Sequence, residues 1–198
     1  MFDPNLKIIF ATLASIFAIA AYFPYLKEML GGRTKPHMYT WLIWTITTGT
    51  AAAGLWYGGG GYGALGLTVS TFLTFLIFLL SFTYGTKNVT QGDVAILLLA
   101  LSAIIIWWLL NSPLLAVLMV TAIDAIGYLP SFRKSFNEPW SEPILSWILF
   151  TLAPIFGLLA LSGYTLLTTT YLLMCIVANI LMITLCFLRR PLVQKPQP

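Results

Sequence analysis

Two polar side chains stand deep inside long apolar segments of this sequence, where simple packing does not account for them. Asp124 is the one acid in the interior of such a segment, and Asn179 lies among apolar neighbours. A charge near the middle of a bilayer costs about 2.5–3.5 kcal/mol, so such an acid is expected to face a cavity or a partner. Burial disfavours the charged form of a carboxyl group, which makes Asp124 a candidate for proton coupling. The amide of Asn179 both donates and accepts hydrogen bonds, which makes it a candidate for substrate binding.

Both residues also have a structural interpretation. Asp124 could be a protonated or hydrogen-bonded acid held by Thr121 or Tyr128, each about one helical turn away. Asn179 could join neighbouring helices, which is a common use of asparagine in membranes. The residue types alone leave these alternatives open.

Five further residues are candidates for a solute pathway. Ser70 and Thr74 carry hydroxyl groups that could line a binding site, and Trp56 offers a ring on which a sugar or base could stack. Pro24 and Pro130 each remove an intrahelical hydrogen bond, so we interpret them as hinges. Their alternative role is to end each helix before a polar loop.

The composition of the chain indicates which class of protein carries these residues. Of 198 residues, 59% are hydrophobic and only 8% are charged. Soluble proteins carry about 25% charged residues, so this composition excludes a soluble fold. So apolar a chain does not stay disordered either. The remaining class is an integral membrane protein. One histidine, six scattered acids and two cysteines give no catalytic or metal cluster, so we expect no enzyme activity, no cofactor and no bound metal. No basic run suggests nucleic-acid binding.

A membrane helix needs about 20 mostly apolar residues. That length predicts seven spans, which cover nearly the whole chain: 8–25, 39–57, 63–83, 94–111, 113–130, 144–162 and 165–188. Asp124 falls in the fifth and Asn179 in the seventh.

The basic residues predict the orientation. With seven crossings, nine of them fall on one side and only Lys7 on the other; the nine are Lys27, Arg33, Lys35, Lys87, Arg133, Lys134, Arg189, Arg190 and Lys195. Because cytoplasmic loops are enriched in Lys and Arg, we expect an outside N-terminus and a cytoplasmic C-terminus in the cell (inner) membrane.

The two halves of the chain resemble each other at an offset of 106 residues. Tyr22 and Pro24 align with Tyr128 and Pro130, and further pairs are Trp41 with Trp147, Thr45 with Thr151 and Lys27 with Arg133. Five of forty positions are identical between 18–57 and 124–163. A three-helix unit keeps its orientation only if an odd span separates the copies, which predicts two parallel three-helix bundles joined by a linker helix (3+1+3). The predicted parts are 1–83, the linker 84–112, 113–188 and a tail 189–198.

This arrangement resembles the PQ-loop and SWEET superfamily, including the half-size SemiSWEETs. The matching residues are Pro24, Pro130, the run 55–58 (Leu-Trp-Tyr-Gly) and the run 177–179 (Val-Ala-Asn). The chain departs from the family in several places. The glutamine of the name-giving motif is Tyr25 and Ser131, the family's sugar-contacting asparagine corresponds to Ser70, and Pro154 is displaced from the hinge pattern.

The resemblance implies a transporter that works by alternating access on a small, largely uncharged polar solute such as a sugar, nucleoside or vitamin. Asn179, Ser70, Thr74 and Trp56 would form the site. The alternatives are a channel and a non-transporting receptor or scaffold, since KDEL receptors share this general fold. The expected partners are the lipid bilayer and the solute, and a homo-oligomer stays open.

Overall fold

The computed structural model describes residues 3–32, 35–85, 89–142 and 144–194. These residues contain no β-strand and form seven α-helices, with short 3-10 turns at 61–64, 139–141 and 190–192. The helices are α1 (Pro4–Leu30), α2 (Met38–Tyr57), α3 (Leu65–Tyr84), α4 (Gln91–Leu110), α5 (Pro113–Asn137), α6 (Ile144–Ala160) and α7 (Leu166–Arg189).

The prediction of an all-helical chain is confirmed, and a helix coincides with each of the seven predicted apolar segments. Five helical segments are long and apolar enough to cross a membrane, namely Pro4–Leu30, Gly61–Tyr84, Gln91–Leu110, Pro113–Asn137 and Leu166–Leu192. Helix α6 is apolar but has only 17 residues. The number of crossings therefore stays a prediction.

Some of the predicted features lie outside the described residues. These are Arg33, Lys87 and Lys195 among the basic residues, the side chains of Pro130 and Lys134, and the last four residues of the tail.

Local sequence explains where several helices begin. Asp3 caps α1 by accepting a hydrogen bond from the backbone N–H of Asn5 at 2.8 Å, and Pro4 follows at the first helical position. Thr90 and Asp93 form a reciprocal capping box at the start of α4, and Thr165 forms another with the third residue of α7. These caps supply acceptors to backbone N–H groups that a helix start leaves unpaired.

For description we call α1–α3 and α5–α7 the two helix groups. Helix α3 lies against both α1 and α2, and α7 lies against both α5 and α6. Helix α4 contacts α5 and α2. Between the groups, the main contacts are those of α1 with α6 and of α2 with α5, with smaller ones of α2 with α7 and of α3 with α6. We call the two main contacts the seams.

The seam between α1 and α6 is aromatic. The ring of Phe156 on α6 lies 6.0 Å from that of Phe10 and 5.4 Å from that of Phe17, and Phe150 meets Tyr22 edge-on at 5.1 Å. Offset and edge-to-face arrangements of this kind are favourable ring contacts. This seam joins the two helix groups through apolar packing.

Two arginines at the end of α7 hydrogen-bond to backbone carbonyls at the end of α5 and in the connection between α5 and α6. The Nε of Arg189 donates to the carbonyl of Phe136 at 2.8 Å, and Nη2 of Arg190 donates to the carbonyl of Glu142 at 3.0 Å. The imidazole of His37 lies 3.8 Å from the carboxylate of Asp93. The end of α7 is thus fixed to the connection between α5 and α6.

Candidate functional site

Asp124 is buried on α5, with a side chain only 7% exposed. Its Oδ2 accepts a hydrogen bond from the hydroxyl of Tyr171 on α7. Its Oδ1 has no hydrogen-bond partner among the described residues. The hydroxyls put forward as local partners are used elsewhere, since Thr121 donates to the carbonyl of Val117 at 2.6 Å and Tyr128 donates to Asn179. The acid is therefore held by a neighbouring helix.

Polar groups from four helices gather around this carboxyl group. The hydroxyl of Thr47 on α2 is near enough to interact with this carboxyl group, but it donates its hydrogen bond to the carbonyl of Trp44 at 3.3 Å. The hydroxyl of Tyr22 on α1 and the thiol of Cys175 on α7 lie within electrostatic range of Asp124. We call Tyr22, Thr47, Asp124, Tyr128, Tyr171, Cys175 and Asn179 the central polar cluster. Its members belong to α1, α2, α5 and α7.

Asn179 bridges three helices from a fully buried position on α7. Its Oδ1 accepts a hydrogen bond from the hydroxyl of Tyr128 on α5 at 2.9 Å. Its Nδ2 donates to the backbone carbonyl of Phe150 on α6, also at 2.9 Å. That carbonyl would normally accept from the N–H four residues on, but position 154 is a proline and has none. Asn179 supplies the missing donor.

These contacts bear on the two interpretations of Asn179. The carbonyl oxygen and one amide hydrogen are engaged by the protein, which is the joining role considered above. Substrate binding by Asn179 stays a prediction.

The other predicted site residues lie on α2 and α3. Thr74 is buried and donates to the carbonyl of Thr71 at 2.9 Å, and the partly buried Ser70 donates to that of Gly66 at 3.1 Å. Trp56, at the far end of α2, is 47% exposed, and its Nε1 donates to the hydroxyl of Thr68 at 3.0 Å. None of these hydrogen bonds involves the central polar cluster. Their role in binding stays a prediction.

The two predicted hinge prolines lie inside helices. Helix α1 continues six residues past Pro24 to Leu30, and α5 continues past position 130 to Asn137. Neither proline therefore ends its helix, which removes the alternative given above. Bending at these positions stays a prediction.

Several contacts recur 106 residues apart. The rings of Tyr22 and Trp41 are 6.3 Å apart, and those of Tyr128 and Trp147 are 6.1 Å apart. The ring centroids of Trp41 and Trp44 are 5.0 Å apart, and those of the aligned pair, Trp147 and Phe150, are 6.5 Å apart. The aligned aromatic residues thus have aligned neighbours.

Sequence reasoning missed Tyr171, Cys175 and Thr47 as members of the cluster. A signal was present on α7, where Tyr171, Cys175 and Asn179 follow one another at intervals of four residues. Residues four apart lie on one face of a helix. A polar stripe on one face of an apolar helix favours a shared buried environment, and the structure provides one.

Among the described residues, no group of three or more His, Cys, Asp or Glu side chains could hold a metal ion. No family model matches this chain, and no curated protein or solved structure matches it either.

Proposed function

We propose that this protein is a multi-pass membrane transporter that moves a small, largely uncharged polar solute by alternating access. The observation that carries the proposal is the central polar cluster, because buried polar groups within apolar helices are costly unless they face a partner or a pathway. Asp124 is the proton-coupling residue in this proposal. Tyr171 donates to its Oδ2, and its Oδ1 has no hydrogen-bond partner among the described residues, which supports this role.

The proposed architecture is two parallel three-helix bundles, α1–α3 and α5–α7, joined by α4 as the linker. The packing of α3 between α1 and α2 has its counterpart in α7 between α5 and α6. The seam of α1 with α6 has its counterpart in that of α2 with α5. These relations and the recurring aromatic contacts support two related units. Helical repeats that enclose a midplane site are common among transporters.

The proposed orientation has the N-terminus outside and the C-terminus in the cytoplasm of a cell (inner) membrane. It rests on the excess of basic residues at one end, where Arg189 and Arg190 hold the loops. In this proposal Pro24 and Pro130 act as hinges near that end. Asn179, Ser70, Thr74 and Trp56 contribute to the solute pathway.

Flux through reconstituted protein tests the proposal. The purified protein is first screened for thermal stabilisation by sugars, nucleosides, vitamins and amino acids, since a ligand of the folded state raises its apparent stability. Stabilising solutes are then tested for uptake into proteoliposomes. We expect saturable uptake that an Asp124→Asn substitution impairs and an Asp3→Asn substitution at the helix cap leaves unchanged. Binding without uptake in the wild type would contradict the transporter.

A receptor or scaffold is the second candidate, and one observation favours it. The polar groups of Tyr128, Asn179 and Tyr171 are engaged with each other or with the backbone inside a closed interior. A signalling or scaffolding core could be fixed in this manner. It predicts tight binding of a ligand with no flux in the same proteoliposomes.

A further inference from the structure

One atom of the central polar cluster is left without a hydrogen-bonding partner. Oδ1 of Asp124 has none among the described residues, although the side chain is more than nine-tenths buried. Oδ2 of the same carboxyl is engaged by Tyr171. Buried polar atoms are nearly always hydrogen-bonded, so the exception calls for a specific explanation.

No protein cation compensates this carboxylate. None of the described basic side chains pairs with Asp124. Arg133, the next basic residue along α5, lies nine positions on, which is about 13 Å along a helix.

We propose that Oδ1 of Asp124 binds a primary ammonium group of the transported solute. This inference rests on the proposed function and specifies its substrate class, namely a small polar molecule that carries one amine on an otherwise uncharged body. The ammonium supplies both the missing donor and the missing positive charge. Charge-assisted hydrogen bonds of this kind are stronger than neutral ones.

The neighbours of Asp124 suit an ammonium group. It has three donors, so it needs acceptors besides the carboxylate. The oxygen of Tyr171 contacts the acid, that of Thr47 is near enough to interact with it, and that of Tyr22 lies within electrostatic range. Aromatic rings also attract cations. A divalent metal fits less well, because Ca²⁺ and Mg²⁺ need about six to eight oxygen ligands and the cluster has a single carboxylate.

Matched pairs of solutes test the assignment in purified full-length protein. Glucosamine differs from glucose, and ethanolamine from ethylene glycol, by an ammonium group in place of a hydroxyl. Thermal unfolding is followed in detergent at equal solute concentration, pH and ionic strength. We expect the amine of at least one pair to raise the melting temperature and its hydroxyl counterpart to have no such effect.

The Asp124→Asn variant keeps the shape of the side chain and removes its charge. We expect amine binding to weaken at least about tenfold in this variant, since hydrogen bonds to charged groups contribute more than neutral ones. The matched control is Asp3→Asn, which makes the same substitution at an exposed acid outside the cluster, so it should bind the amine as the wild type does. If Asp124→Asn does not fold, the comparison of the matched solutes in the wild type and in Asp3→Asn decides alone.

Three results would overturn the assignment. They are no stabilisation by either amine, equal stabilisation by amine and hydroxyl, and undiminished amine binding in Asp124→Asn. Transport and substrate class can fail separately. Saturable uptake of a solute by a protein that neither amine stabilises would support a transporter and reject the ammonium site, whereas amine binding without flux would support the site and reject the transporter.

Discussion

The side chain of Asn179 replaces the backbone donor that Pro154 removes from α6. Its Nδ2 lies 2.9 Å from the carbonyl oxygen of Phe150, four residues before the proline. Within apolar surroundings such a freed carbonyl must be satisfied from elsewhere, and neighbouring helices commonly do this in membrane proteins. The proline and the asparagine therefore form one structural unit on two helices.

A double-mutant cycle tests this relationship. Asn179→Leu should lower the free energy of unfolding by about 1–3 kcal/mol, because the carbonyl of Phe150 and the hydroxyl of Tyr128 lose their partner. In a Pro154→Ala background the same substitution should cost less, since residue 154 then donates its own N–H to Phe150. Unfolding in detergent measures the four proteins. Effects that add within about 0.5 kcal/mol would show that the two residues are not coupled.

The pH dependence of transport should disappear with Asp124. Tyrosine and cysteine side chains ordinarily lose protons only in alkaline solution, so among Tyr22, Tyr128, Tyr171 and Cys175 none supplies a proton between pH 5 and about 8. The carboxyl of Asp124 is the remaining titratable group of the cluster. Uptake measured across this range should be flat for Asp124→Asn and should keep its wild-type profile for the exposed Asp3→Asn control. An unchanged profile in Asp124→Asn would eliminate the coupling role.

Gly66 should not tolerate a methyl group. A Cβ at this position on α3 would lie 2.8 Å from the Cβ of Ala14 on α1, and alanine has no rotamer with which to yield. We expect Gly66→Ala to destabilise the protein by about 1–3 kcal/mol through overpacking. Gly127→Ala on α5 is the matched control, because nothing lies within 4 Å of the added carbon. It should stabilise the helix by about 0.5–1 kcal/mol. Equal melting temperatures for the two variants would rule out close packing of α1 on α3.

Arg190 should not be replaceable by lysine. Its guanidinium stacks 4.9 Å from the ring centroid of Trp140 and donates to the carbonyls of Pro139 and Glu142. Lysine keeps the charge but lacks the planar, forked donors. Hydrogen exchange in 138–142 should accelerate at least about tenfold in Arg190→Lys, which corresponds to about 1.4 kcal/mol. The exposed Arg133→Lys serves as the control, and equal exchange in both variants would show that the fork is dispensable.

The sequence predicts the helices well because each is a long apolar run that ends at glycine, proline or polar residues. Asn111, for example, adopts a positive φ of 46° after α4, and Pro113 begins α5 two residues later. These features are local and depend on the chain alone. The bounds differ mainly where polar residues extend the helix beyond the apolar run, as at the end of α5.

The partners of the candidate site residues were not predictable in the same way. Asp124 and Tyr171, which form one hydrogen bond, lie 47 residues apart in the sequence. Tyr128 and Asn179, which form another, lie 51 residues apart. The sequence suggests hydrogen-bond partners for Asp124 one helical turn away. The packing of α7 on α5 instead provides a donor from another helix. A single sequence carries no direct signal of which helices touch. The polar stripe on α7 indicates a buried face without indicating what it faces.

The two seams between the helix groups differ in their affinity for water. The junction of α1 with α6 is apolar and contains Phe10, Phe17 and Phe156. The junction of α2 with α5 contains the polar side chains of Thr47 and Asp124. Hydration of the interior should therefore begin beside α2 and α5 and leave the phenylalanine seam intact. Water would then enter on the side of α2 and α5 only, although the two helix groups pack in a similar way.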